Sequence, residues 1–170
     1  DAQLSRGLGD VYKRQDENGE WQGKAVADIG DPAKVPLPVD ISITSDDQGL
    51  WVNTFMDGNA RYFDITDPFN PVQKYGEEIG GQVNMISQSW DGKRAYFSTS
   101  LLGNWDKDSN GEMQWVKLYE WDDEKLELSH KWTVDFYKEK LGRAHQMRFG
   151  AYSLYSSKTD NKKEVTLLDK

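Results

Sequence analysis

Few side chains in this sequence offer chemistry beyond packing. Histidine occurs twice, at His130 and His145, and cysteine not at all. A thiolate metal site, a Cys nucleophile and a disulfide framework are therefore excluded within the 170 residues. His145 stands in Leu141-Gly142-Arg143-Ala144-His145-Gln146-Met147-Arg148-Phe149, after a loop and at the start of an expected strand. Imidazole is the commonest protein metal ligand and suits copper, iron or zinc. A lone histidine serves equally as a hydrogen-bonded structural residue, and the residues alone leave both readings open. His130 lies in Leu128-Ser129-His130-Lys131-Trp132, where strand alternation is read as placing it opposite the apolar residues and in solvent. Asp106-Lys107-Asp108-Ser109-Asn110-Gly111-Glu112 imitates the first half of a calcium loop. Its twelfth position is Lys117 where a bidentate Glu is required, so the segment reads as a polar hairpin loop. The carboxylates Glu77, Glu78, Asp122, Asp123 and Glu124 read as solvated faces. There is no Gly-rich phosphate loop, no G-x-S-x-G elbow and no H-E-x-x-H.

The elements that would position His145 come from a repeat. Asp40-Ile41-Ser42-Ile43-Thr44-Ser45-Asp46-Asp47-Gln48-Gly49, followed by Leu50 to Thr54, aligns at an offset of 45 residues with Met85 to Arg94 followed by Ala95 to Thr99. Ile41/Ile86, Ser42/Ser87, Asp46/Asp91 and Thr54/Thr99 are identical. Each segment reads as strand, Asp-rich turn, strand, because Asp tolerates the left-handed region and Gly occupies it freely. Third strands follow at Ala60–Ile65 and Trp115–Trp121, and fourth strands at Val72–Tyr75 and Leu126–Val134. Trp21 to Ile29 reads as the tail of an earlier blade, and Gln146–Phe149 and Val165–Leu168 as further strands. A period in the forties with four strands per unit is the mark of β-propeller blades. The expected fold is therefore all-β: a propeller fragment with four-stranded blades at residues 36–79 and 80–135 and parts of their neighbours. A small β-sandwich is the competing architecture. Because repeat units bury their faces only against neighbours, two blades are not expected to close a propeller.

Composition narrows the partners. The chain is 36% hydrophobic and 12% aromatic, enough for a core, and its net charge of -8 opposes nucleic acid and anionic membrane surfaces. No apolar run approaches the ~20 residues that span a bilayer. Residues 5–15, Ser5-Arg6-Gly7-Leu8-Gly9-Asp10-Val11-Tyr12-Lys13-Arg14-Gln15, show neither strand alternation nor a helical period and resemble the translation of a sequencing adaptor. Residues 1–15 are accordingly read as an artefactual or disordered segment, and 16–170 as the C-terminal part of a propeller domain.

Several stretches together resemble the selenium-binding protein family. They are Leu37-Pro38-Val39-Asp40-Ile41-Ser42, Trp51-Val52-Asn53-Thr54-Phe55-Met56-Asp57-Gly58, Tyr62-Phe63-Asp64-Ile65-Thr66-Asp67-Pro68, Ser89-Trp90-Asp91-Gly92-Lys93-Arg94, Thr99 to Lys107, and Ala144-His145-Gln146-Met147-Arg148-Phe149. The resemblance implies a seven-bladed propeller and, in the bacterial branch, copper-dependent oxidation of methanethiol with oxygen and water to formaldehyde, hydrogen sulfide and hydrogen peroxide. The short Gly80–Val83 connection, without the insertion of animal relatives, points to that branch. Residue by residue, His145 falls on a motif that supplies a copper ligand, the remaining ligands lying upstream of this sequence. Arg148 is a candidate for holding the strand around that site, an ion pair with a carboxylate being the alternative. A small thiol substrate and an exported, periplasmic enzyme are implied, with a cytoplasmic location as the alternative. The chain has no cysteine on which to carry selenium, and a non-enzymatic selenium-binding or protein-interaction propeller is the competing function.

Overall fold

The computed structural model describes residues 11–99 and 114–147. Among them the chain is all-β apart from one short 3-10 turn at Pro32–Lys34. Among the described residues no helix is long and apolar enough to cross a membrane.

Two four-stranded antiparallel sheets follow one another along the chain. The first runs β3 (Pro38–Ile43), β4 (Gly49–Thr54), β5 (Asn59–Asp64) and β6 (Val72–Glu78), in that spatial order. The second runs β7 (Met85–Gln88), β8 (Arg94–Ser98), β9 (Trp115–Asp122) and β10 (Glu127–Asp135). Each is a meander in which the first strand lies at one edge and the fourth at the other, the arrangement of a propeller blade.

The repeat in sequence is a repeat in hydrogen bonds. In the first blade Asp46 accepts from the Thr44 hydroxyl and from Gln48 N–H (3.1 Å), and Gly49 N–H donates to Thr44 Oγ1 (2.8 Å). In the second, Asp91 accepts from the Ser89 hydroxyl and from Lys93 N–H (3.1 Å), and Arg94 N–H donates to Ser89 Oγ (3.0 Å). The left-handed position of this turn is Asp47 (φ 58°) in one blade and Gly92 (φ 70°) in the other. A second turn needs glycine outright. Gly58 has φ 64° and a Cβ there would lie 2.5 Å from the Gly80 carbonyl oxygen.

Aromatic side chains join the blades. Ser42, Trp51, Tyr62 and Tyr75 stand in one cross-strand row of the first blade. Trp51, fully buried, meets Trp121 (ring centroids 4.8 Å apart) and Phe97 (6.0 Å) of the second blade edge-on. Trp121 also meets Tyr62 and Tyr75, at 5.0 and 5.2 Å. The opposite face of the first blade carries Leu50, Val52 and Phe63, which pack on Ile29 and Ala27.

Ahead of the blades, β1 (Val11–Gln15) pairs with β2 (Trp21–Ala25) through the turn at Asp16–Gly19. Val11–Gln15 thus forms a strand although residues 5–15 show no strand alternation. A two-stranded ladder is made of backbone groups and does not require side-chain alternation. Trp21–Ala25 pairs with β1 alone among the described residues.

Candidate functional site

The first strands of the two blades, β3 and β7, are sheet edges, and β7 packs against β3 and β4. Side chains tie them together. Asp40 Oδ2 accepts Ile86 N–H (3.0 Å), while Gln88 Nε2 donates to Ser42 Oγ (2.8 Å) and to the Ile43 carbonyl (2.7 Å). Alternation sends Asp40 and Ser42 toward the second blade, and sends Met85 and Ser87, on the flank of β7 away from β3, the other way.

That far flank is where His145 stands. The Ser98 hydroxyl donates to the His145 carbonyl, and the Ser87 hydroxyl donates to the Met147 carbonyl. Residues 145–147 therefore take the place beside β7 that β7 takes beside β3. Ala144 is buried, and His145 is exposed. Two serines thus clamp the backbone on either side of Gln146 and leave the imidazole in solvent. The expected strand from Gln146 is not present at Gln146 and Met147, which belong to no ladder. The clamp is made by side chains, and one strand of backbone partners is missing there. The rest of that expected strand, with Arg148, and the strand at 165–168 lie outside the described residues, as does the calcium-like loop at 106–112.

His130 is placed differently from the sequence reading. It is exposed, but it does not lie opposite the apolar residues: its ring packs edge-on against Tyr119 at 5.2 Å, and Nε2 lies 2.9 Å from Thr133 Oγ1. Leu128 and His130 are two residues apart and share a side of β10, the outermost strand, far across the sheet from the His145 clamp. The carboxylates behave as turn and surface groups, Asp122 taking the Lys125 ammonium (2.5 Å) and N–H (3.0 Å).

Sequence reasoning missed the buried polar residues of the blade interface and of the clamp. Asn53 and Asn84 are completely buried, and Ser98 is 2% exposed. Lys117 is half-buried between the blades, with Nζ 4.2 Å from the Trp115 ring centre and donating to the Ile79 carbonyl; burial lowers its pKa from the ordinary lysine value. The identity of Ser42 with Ser87 was the one available signal, and it marks the first strand of each blade.

As a metal centre the described residues are incomplete. Among them no group of three His, Cys, Asp or Glu side chains comes together. The donor that is present, an exposed imidazole, suits copper, iron or zinc. His145 fits the role of one ligand within a larger set.

Known proteins resemble the chain along most of its length. The family described as "56kDa selenium binding protein (SBP56)" matches residues 4–156. A methanethiol oxidase of Ruegeria pomeroyi is 62% identical over 143 residues, covering 84% of this chain and 32% of that protein. A methanethiol oxidase of Hyphomicrobium sp. is 56% identical over 138 residues, covering 81% of the chain and 31% of that protein. Among solved structures, a hypothetical selenium-binding protein from Sulfolobus tokodaii superposes with a TM-score of 0.60 at 25% identity, over 73% of this chain and 34% of the other. The chain spans about a third of the length of the curated relatives it matches. With a family match over residues 4–156, this chain belongs to the 56 kDa selenium-binding protein family.

Proposed function

We propose that the whole protein of which this chain forms part is a copper-dependent methanethiol oxidase, and that His145 is one of its copper ligands. The observation that carries this reading is the exposed imidazole of His145 on a backbone clamped by Ser87 and Ser98 at the β7 edge of the second blade. Two relatives carry the name methanethiol oxidase, and the reaction is the one that the family resemblance implies. It converts methanethiol, oxygen and water, one molecule of each, to formaldehyde, hydrogen sulfide and hydrogen peroxide, and the atoms balance.

Copper would supply the one-electron chemistry with oxygen that no side chain in this sequence provides. The chain's own residues bind and orient. Neutral imidazole presents a nitrogen lone pair, and the serine clamp limits how far that nitrogen can move. A soft thiol substrate and Cu(I) are matched in ligand preference. The substrate is small, and the net charge of -8 offers no basic face for nucleic acid. An exported, periplasmic enzyme is what the family resemblance implies, with the cytoplasm as the alternative, and cell fractionation would decide between them.

In the full-length protein His145→Ala should lower bound copper and methanethiol oxidation together. Copper content and turnover both unchanged would remove His145 from the site. Purified residues 16–170 should show no methanethiol oxidation, since a single imidazole does not assemble the centre. Turnover by that segment would overturn the requirement for ligands beyond it.

A further inference from the structure

Four polar atoms between the blades have no hydrogen-bond partner: the side-chain nitrogen and oxygen of Asn53 and those of Asn84. Both residues are 0% exposed. A carboxamide taken out of water loses the hydrogen bonds it had there, so a buried one persists where something polar meets it.

Register puts the two amides on facing surfaces. Asn53 stands opposite Asp40 and Ala60, two residues from Trp51 and on the side of the blade that meets its neighbour. Asn84 extends the β7 ladder, its N–H donating to the Ser98 carbonyl at 2.8 Å. Alternation turns its side chain the same way as Ile86, toward the first blade. The bond from Ile86 N–H to Asp40 Oδ2 holds the sheets together at this level. The repeat supports the placement: Asn53 corresponds to Ser98, whose hydroxyl reaches the main chain of the following segment at His145. At the earlier interface the longer carboxamide occupies that place and makes no such bond.

Chemistry selects the occupant. Each amide offers an amino group that donates and an oxygen that accepts. A cation would leave the amino groups unmet, and an anion the oxygens. A small neutral molecule that both donates and accepts meets all four, and water is the smallest such molecule. We propose that Asn53 and Asn84 form a buried water-binding site between the two blades. Ser98 links it to His145, since its carbonyl accepts Asn84 N–H and its hydroxyl donates to the His145 carbonyl. The oxidation consumes one water per thiol, and this site holds water on the opposite side of β7 from the clamped histidine, joined to it through Ser98. That use of the water rests on the copper-enzyme reading; the site itself rests on the two buried amides.

A crystal structure of the full-length protein with ordered solvent should show water within hydrogen-bond distance of both carboxamides. A direct bond between the amides, or contact without water, overturns the site. Asn84→Leu keeps the volume and removes the polar atoms. With water bound it strands Asn53, and the melting temperature should fall by about 4 °C, part of which Asn53→Leu in the same chain should restore. A dry pair gives the opposite result, each single leucine variant raising the melting temperature, and overturns the proposal. Bound copper separates the two readings. Water present with copper unchanged in His145→Ala sinks the enzyme reading alone, whereas copper lost in His145→Ala with dry amides sinks the water site alone.

Discussion

Asp57 and Arg61 show how a charge is kept inside a blade. Arg61 is 7% exposed in β5, with its guanidinium paired to Asp57 and donating to the Thr54 hydroxyl oxygen. Burial works against the charged form of Asp57, but hydrogen bonds from Arg61 and Thr54 and the Arg61 charge outweigh it, and the carboxyl is held below the usual range. A carboxyl whose folded pKa is depressed stabilises the fold above its unfolded value of about 3.9, and that stability is lost as pH falls through the folded value. Asp57→Asn removes this acid dependence and leaves Arg61 buried without a counter-charge, at a cost of about 3 kcal/mol near neutral pH. Denaturant unfolding of both proteins between neutral pH and about pH 3 tests it. The gap between them should narrow on the acid side, and a constant gap would remove Asp57 as the titrating group.

Among the elements, the hairpin from first to second strand is the most informative, because the two blades solve it with different residues. Gly92 has φ 70° with nothing within 4 Å of where a Cβ would stand, so Gly92→Ala pays only for the left-handed backbone, about 1 kcal/mol. At the equivalent Asp47, Asp47→Gly should be neutral or slightly stabilising. Thermal melts of the two variants check this, and equal losses would mean that packing, not φ, sets the turn. These hairpins were legible in the sequence because Thr44/Ser89, Asp46/Asp91 and Asp47/Gly92 act within five residues of one another. The β1–β2 ladder was not, since backbone pairing leaves no side-chain period to read. Nor were the clamp on His145 and the orphan amides of Asn53 and Asn84, which depend on residues far apart in the chain arriving at one interface. His130 was misplaced for a simpler reason: Leu128, two residues before it, shares its side of the strand.

At the scale of the whole molecule, one aromatic core is shared between the blades. Trp51 touches four aromatic rings, from both blades, and Trp51→Ala should cost about 4 kcal/mol, read by denaturant unfolding. The repeat also says which faces are unfinished. Ile86 is 4% exposed because the first blade covers it, while its counterpart Ile41 is 51% exposed and the neighbouring Ile43 is 52% exposed. Equivalent positions with apolar residues but opposite exposure are what a further blade covering Ile41 and Ile43 in the full-length protein would produce. In the full-length protein, Ile41→Ser with Ile43→Ser should then cost about 2 kcal/mol per residue. In residues 16–170 alone the same pair should leave the melting temperature nearly unchanged and reduce self-association, seen by sedimentation, because exposed apolar surface at a sheet edge is adhesive. Equal destabilisation in both settings would mean that these isoleucines are already packed within this chain, and the missing-blade argument would fail.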